Sequence, residues 1–169
     1  MFRKGDTVVH PQHGVAVIEE LRVGTFLGER RRYLILRVAY GDLTLMVPVE
    51  STEEIGIRHV ISKNEVKKVL NVLEQDESTM DANWSRRFKN NIAKLRSGDI
   101  YQLAEVVRDL SIRERERGLS AGERRMVIEA RRILILELTS AAGGTDEKTT
   151  AMIDEVLEES HQSRVLAGL

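Results

Sequence analysis

Trp84-Ser-Arg-Arg-Phe-Lys-Asn-Asn-Ile-Ala-Lys-Leu-Arg96 holds the chain's single tryptophan and five basic residues, Arg86, Arg87, Lys89, Lys94 and Arg96, with no acidic one. Wound as an α-helix, it brings Trp84, Phe88, Ile92 and Leu95 into a sector of about 80° and leaves the cations the rest of the cylinder. One face is fit to pack on a core, the opposite one to meet negative charge. Two readings fit this pattern. In one, Trp84 is the first core residue of an amphipathic helix and the cations only keep it soluble. In the other, the cations bind something. A merely soluble face usually mixes signs in i,i+4 pairs, whereas here every charge has one sign. Trp84 also stands at the helix start, where a ring can project past the end of the element.

Helical patterning continues on both sides. Ser62-Lys-Asn-Glu65 is a capping-box signature for a helix through about Leu73, and the polar run Glu74 to Asp81 reads as a hinge. Gly98 stops the Trp84 helix. Asp99 then caps a helix with an apolar stripe of Ile100, Leu103, Val106, Val107 and Leu110, ending at Gly118. Ser120-Ala-Gly-Glu123 is a second capping box and opens the most apolar helix, Met126 to Leu138. Gly143-Gly144 breaks it. A short acidic helix carrying Met152, Ile153, Val156 and Leu157 follows, frayed from about Gln162. Helices this short and this striped bury their stripes on one another, so a bundle is expected.

Residues 1–49 read instead as strands. Thr7-Val-Val-His10 is short and ends at Pro11; from Val15 to Val23 the odd positions (Val15, Val17, Leu21 and Val23) make an apolar face at period two. Gly24 and Gly28 bracket a loop, Thr25-Phe-Leu27. Tyr33 to Tyr40 is apolar on both faces, and Gly41-Asp42 supplies a two-residue turn into Leu43-Thr-Leu-Met-Val-Pro48. Pro48 ends the pairing. Four short strands with tight turns suggest a small SH3- or Tudor-like barrel. The expected fold class is therefore α+β: a β-barrel over 1–52, an all-α helical bundle over 53–160, and a flexible tail over 161–169.

Composition narrows the function. The chain has 169 residues, a net charge of −1 and no cysteine, so disulfides and thiolate chemistry are excluded. The N-terminus, Met-Phe-Arg-Lys-Gly-Asp, does not read as a signal peptide, and no apolar run approaches a membrane span. The expected compartment is the cytoplasm, with no membrane partner. Charge is uneven: 11 basic and 10 acidic residues over 1–75, 13 and 11 over 76–142, 2 and 6 over 143–169. This is not the basicity of a protein that coats nucleic acid unaided, so any DNA contact must be local and assisted.

Catalytic patterns are missing. There is no Gly-x-x-x-x-Gly-Lys loop and no Gly-x-Gly-x-x-Gly after a strand. His10 and His13 flank Pro11 without a ligand partner at metal spacing, and read as a turn. Carboxylates sit beside arginines, as in Arg113-Glu-Arg-Glu-Arg117, the pattern of solvated ion pairs. We expect no enzyme, no cofactor and no metal site. Cations gather at Arg86 to Arg96, at Arg113 to Arg117, and at Arg124-Arg125 with Arg131-Arg132, where residues seven apart nearly superpose. They form either a solvated face over the bundle or, with Arg86 and Lys89, a track for phosphates.

Several blocks resemble one family. Gly5-Asp-Thr-Val-Val-His-Pro-Gln-His-Gly14, Gly41-Asp-Leu-Thr44, Val47-Pro48, Asn83-Trp-Ser-Arg-Arg-Phe-Lys89, Ala104-Glu-Val-Val-Arg-Asp-Leu110 and Glu116-Arg-Gly-Leu-Ser-Ala-Gly-Glu-Arg-Arg-Met126 are similar to the CarD family of bacterial transcription regulators. The resemblance runs from about Phe2 to Leu157. It implies a two-domain adaptor without catalysis. The Tudor-like domain, similar to the polymerase-interaction module of the transcription-repair coupling factor, would bind the β subunit of RNA polymerase. The helical domain would touch promoter DNA at the upstream edge of the transcription bubble, weakly and largely without sequence preference. On this resemblance Trp84 is the family's minor-groove wedge, and Arg86, Lys89, Arg113 and Arg124 match its basic DNA contacts.

The chain departs from some relatives at the polymerase-facing positions, where arginines are replaced by Met46 and Gly24. Strand alternation places Met46 opposite Leu45 and Val47, exposed. A less ionic contact with Phe26 and Met46 as anchors is then one reading, and mere cover for the barrel the other. The resulting expectation is a monomer that binds polymerase and stabilises the open promoter complex. The alternatives are a free-standing DNA-binding repressor and an adaptor with protein partners only.

Overall fold

The computed structural model describes residues 1–168 and divides into two compact units, Met1–Val60 and Ile61–Leu169. The first is a five-stranded antiparallel sheet: β1 (Thr7–His10), β2 (Gly14–Phe26), β3 (Glu29–Val38), β4 (Thr44–Pro48) and β5 (Arg58–His59), in the order β4-β3-β2-β1-β5. Its core is Val8, Ala16, Ile18, Leu34, Leu36, Val38, Val47 and Ile57. Ala16 and Ile18 are fully buried whereas Val17, Leu21 and Val23 are exposed, so the odd-numbered face expected in β2 is overturned. The register shifts between Ile18 and Glu20. Val17 is exposed because, before that shift, the even positions Ala16 and Ile18 face inward; past the extra residue at Glu19 the odd positions take that face, but no β2 residue beyond Ile18 is in the core, and Leu21 and Val23 stay exposed. Beyond this bulge β2 and β3 run on as a two-stranded ribbon to Phe26 and Glu29.

Two turns also differ from expectation. The loop expected over Thr25–Leu27 is a two-residue turn, Leu27-Gly28, with φ of 51° and 82°. Positive φ at both positions matches the right-handed twist of the paired strands. The turn expected at Gly41-Asp42 is a five-residue connection, residues 39–43, closed by Val38 N–H donating to the Leu43 carbonyl at 2.9 Å.

The expected boundary between residues 52 and 53 falls at the start of α1 (Thr52–Ile55). Gly56, at φ 87°, caps that single turn and returns the chain to the sheet, where β5 pairs with β1 through Val8–His59 and Val9–Arg58. Ile57 joins the sheet's core. A two-residue strand carries no periodicity, which is why residues 53–60 did not read as part of this unit.

The second unit is helical throughout: α2 (Lys63–Glu74), α3 (Trp84–Arg96), α4 (Ile100–Glu116), α5 (Ala121–Ala142) and α6 (Asp146–Leu166). Asp99 Oδ1 accepts from Tyr101 N–H at 2.8 Å at the start of α4, and Gly143 ends α5 as expected. The core gathers Val69, Leu73, Val106, Val107, Leu110, Leu134, Leu138 and Ile153 from α2, α4, α5 and α6. The α+β class is as expected. The last helix is longer than expected: it runs through Leu166, past the fraying placed at Gln162. Ser160 and Arg164 of α6 bond the Glu74 and Gln75 carbonyls at the end of α2. Of the expected tail, 161–166 are helical and Leu169 lies outside the described residues.

The polar run after α2 is not a free hinge. Arg108 and Asp109 are buried and paired at 2.9 Å; Asp109 accepts from Ser78 N–H, while Arg108 donates to the Val72 carbonyl and to Ser78 Oγ. These bonds pin the run to α4. Among the described residues, no helix is long and apolar enough to cross a membrane.

Candidate functional site

The start of α3 is built by side chains that close its free backbone groups. Asn83 Oδ1 accepts from Arg86 N–H at 3.1 Å, and Asp81 Oδ1 accepts from Asn83 N–H at 2.8 Å. This cap places Trp84 on the first turn, and the ring remains 49% exposed. It lies on the Phe88 ring, with centroids 5.2 Å apart and planes 22° from parallel. Its one donor, Nε1–H, is given to Ser120 Oγ at 3.0 Å. Of the two sequence readings, burial of Trp84 in the core is not what the structure shows. The indole is fixed at the surface, one edge tied and much of the rest open.

Ser120 is itself the N-cap of α5, accepting from Glu123 N–H at 3.2 Å. Glu123 lies behind it, 1% exposed, and its Oε2 accepts from the Ser120 backbone N–H at 3.1 Å and hydroxyl at 3.0 Å. Its Oε1 accepts from Arg87 Nε at 2.8 Å, and Arg87 also donates to the Asp81 and Ala82 carbonyls. Burial pushes the Glu123 carboxyl up, but the bonds from Arg87 and Ser120 outweigh it and hold the group below its ordinary range. One buried carboxylate thus joins α3, α5 and the strand of chain leading into α3.

Arg87, counted with the solvated cations in the sequence, is 4% exposed and belongs to this buried pair. With Asn91, 3% exposed, it forms the most buried line of α3, while Phe88, Ile92 and Leu95 are only partly covered. Both residues flank the apolar sector on the helical wheel, within about 60° of Trp84, and that position was the available signal. The acceptor that makes burial tolerable, Glu123, lies 36 residues away and could not be paired with it from spacing.

The other cations divide into open and engaged. Arg86 has 76% of its side chain exposed with Asp81 at 3.8 Å, Arg124 has 60% exposed with Glu114 at 4.0 Å, and Lys89 is exposed. Arg113 is turned inward: its side chain is 21% exposed, and its buried Nε has no hydrogen-bond partner among the described residues, with Glu123 Oε1 3.9 Å away. It lines a polar cleft of about 340 Å³ together with Arg87, Arg117, Asp81 and Glu116. Of the arginine track along α5, Arg131 pairs with Asp154 and Arg132 with Glu129, so this half of the track is neutralised.

A second surface lies on the sheet unit. Gly24 and Met46 sit side by side over Tyr33: a Cβ built at Gly24 would lie 3.5 Å from the Tyr33 ring and 4.0 Å from Met46 Cε. Met46 is exposed and Val47 buried, as strand alternation requires. Phe26, two residues along β2 from Gly24, is 65% exposed beside the turn residue Leu27. Ion pairs within single strands, Arg22–Glu20 and Arg31–Glu29, flank this patch and cancel its charge.

Comparison with known proteins covers both units. Residues 2–61 match the family described as "CarD-like/TRCF RID domain", and residues 68–154 match "CarD, C-terminal domain". A Bacillus subtilis (strain 168) protein named "Putative transcription factor YdeB" is 34% identical over 148 residues, which is 88% of this chain and 97% of that protein. Two matched domains in the same order and a relative aligned over nearly its full length establish the kinship, and the chain belongs to the CarD family of transcription regulators.

Proposed function

We propose that the protein binds the β subunit of RNA polymerase through the Gly24–Phe26–Met46 surface and stabilises the open promoter complex by wedging Trp84 into the minor groove at the bubble's upstream edge. The observation that carries this is the placement of the indole: half exposed at the head of α3, with Arg86, Lys89 and Arg124 exposed on α3 and α5. Inserting a ring into an intact duplex costs on the order of a few kcal/mol of unstacking. At the edge of a bubble the stack is already broken, so the ring binds open DNA better than closed DNA and shifts the equilibrium. The indole N–H is already spent on Ser120, so the ring offers the bases a face and no donor. Contact then follows groove shape more than base identity.

The modest set of open cations fits assisted binding. Few phosphate contacts give weak affinity alone, and attachment to polymerase supplies a high effective concentration. In this scheme Arg113 acts from the cleft wall rather than as a surface cation, reaching a phosphate only if one approaches the cleft. The apolar character of the sheet surface fits a docking contact with little charge. The experiment is paired. Met46→Glu should abolish capture by the isolated β subunit, and Trp84→Ala should leave capture intact while shortening open-complex lifetime on a promoter. Capture unaffected by Met46→Glu removes the docking surface from the account. Sequence-selective gel shifts without polymerase would favour a free-standing repressor instead.

A further inference from the structure

We propose that Ser120 and Gly122, at the start of α5, are positioning residues that hold the Trp84 ring in one orientation ready for DNA. This rests on reading Trp84 as the wedge, and it extends that reading to the residues against which the indole and Phe88 rest. The indole is held at two points. Ser120 Oγ accepts its Nε1–H at 3.0 Å, and the Phe88 ring lies beneath it at 5.2 Å. Phe88 in turn lies against Gly122: a Cβ there would stand 3.3 Å from Phe88 Cε2 and 3.8 Å from Phe88 Cζ. An added Cβ at 122 asks the Phe88 ring to give by a few tenths of an ångström, and the indole stacked on that ring is the group that would shift with it. A ring left free at the surface would populate several rotamers, and ordering it on binding would cost part of the wedge's affinity. A ring fixed beforehand avoids most of that loss. The support is rigid because Ser120 is anchored in turn by the buried Glu123–Arg87 pair.

Two substitutions test the cradle without touching Trp84. Gly122→Ala replaces glycine inside a helix by the better helix former, so the fold should be kept or strengthened while the Phe88 ring is displaced. Ser120→Gly removes the acceptor while keeping a residue tolerated at an N-cap, and Ser120→Thr keeps the hydroxyl and serves as the rescue. Because Trp84 is the only tryptophan, acrylamide quenching of its fluorescence reads the ring directly in the free protein. We expect a higher quenching constant for Gly122→Ala and Ser120→Gly, and a wild-type value for Ser120→Thr. Open-complex lifetime should fall about three- to tenfold in Ser120→Gly, the scale of one lost hydrogen bond, and should fall measurably in Gly122→Ala with its thermal unfolding not lowered. Unchanged quenching, or unchanged lifetime in Gly122→Ala, overturns the cradle. If Ser120→Gly melts early, Gly122→Ala alone decides. Trp84→Ala in parallel separates the two ideas: a lifetime it does not shorten refutes the wedge itself, whereas a lifetime shortened by Trp84→Ala and not by Gly122→Ala refutes only the cradle.

Discussion

Glu123 accepts from Arg87 and Ser120 while almost sealed from water, and that sets how its substitutions behave. Glu123→Gln leaves the Arg87 guanidinium buried without its counter-charge, and should cost roughly 3 to 5 kcal/mol in urea unfolding. The acid dependence follows from the same bonds. The folded state holds the Glu123 carboxyl below its unfolded value of about 4.3. Its stabilising contribution is therefore full above that value and lost as pH falls through the folded one. The gap in stability between wild type and Glu123→Gln should narrow on acidification below about pH 4; a gap that widens would contradict the assignment. Trp84, by contrast, is half exposed, and Trp84→Ala should cost only about 1 to 2 kcal/mol, from the Phe88 stack and the Ser120 bond. At this scale the sequence showed the amphipathic face and the unusual place of Trp84. It hid Arg87, because a buried arginine is distinguished from a solvated one only by a partner that folding brings from another helix.

The β2–β3 ribbon ends on a turn in which Leu27 holds φ at 51°, a conformation that costs a branched residue energy and suits asparagine. Leu27→Asn should raise the melting stability by about 1 kcal/mol, measured by thermal unfolding; a loss would show that Leu27 is held by packing that its 89% exposure does not reveal. Helix starts were legible because capping chemistry is local. Ser62, Asp99 and Ser120 each stand where a helix begins. The alternation of β2 was not legible: before the bulge the exposed Val17 is as apolar as the buried Ile18 beside it, and the extra residue at Glu19 then reverses every side chain after it. The run 74–81 looked like a hinge because its tether, Arg108 with Asp109, lies in another helix. Asp109→Ala should free it, seen as loss of amide protection at Ser78 in hydrogen exchange.

At the scale of the molecule each unit has its own apolar core, one around Ile18, Leu34 and Leu36 and the other around Leu110, Leu134 and Leu138. A fragment of residues 1–60 should fold alone, whereas 1–52 lacks β5 and Ile57 and should not, a difference circular dichroism would show. The sequence placed this break eight residues early, since the return to the sheet through β5 has no pattern of its own. The function proposed for this near-neutral chain, with a few open cations and a half-exposed ring, would favour opened DNA beside polymerase over intact duplex. The direct test is the fluorescence of 2-aminopurine placed at the upstream edge of the bubble in a polymerase–promoter complex. The wild-type protein should raise this signal by unstacking the edge base, and Trp84→Ala, still bound to polymerase, should not; an equal rise with both proteins would refute the wedge.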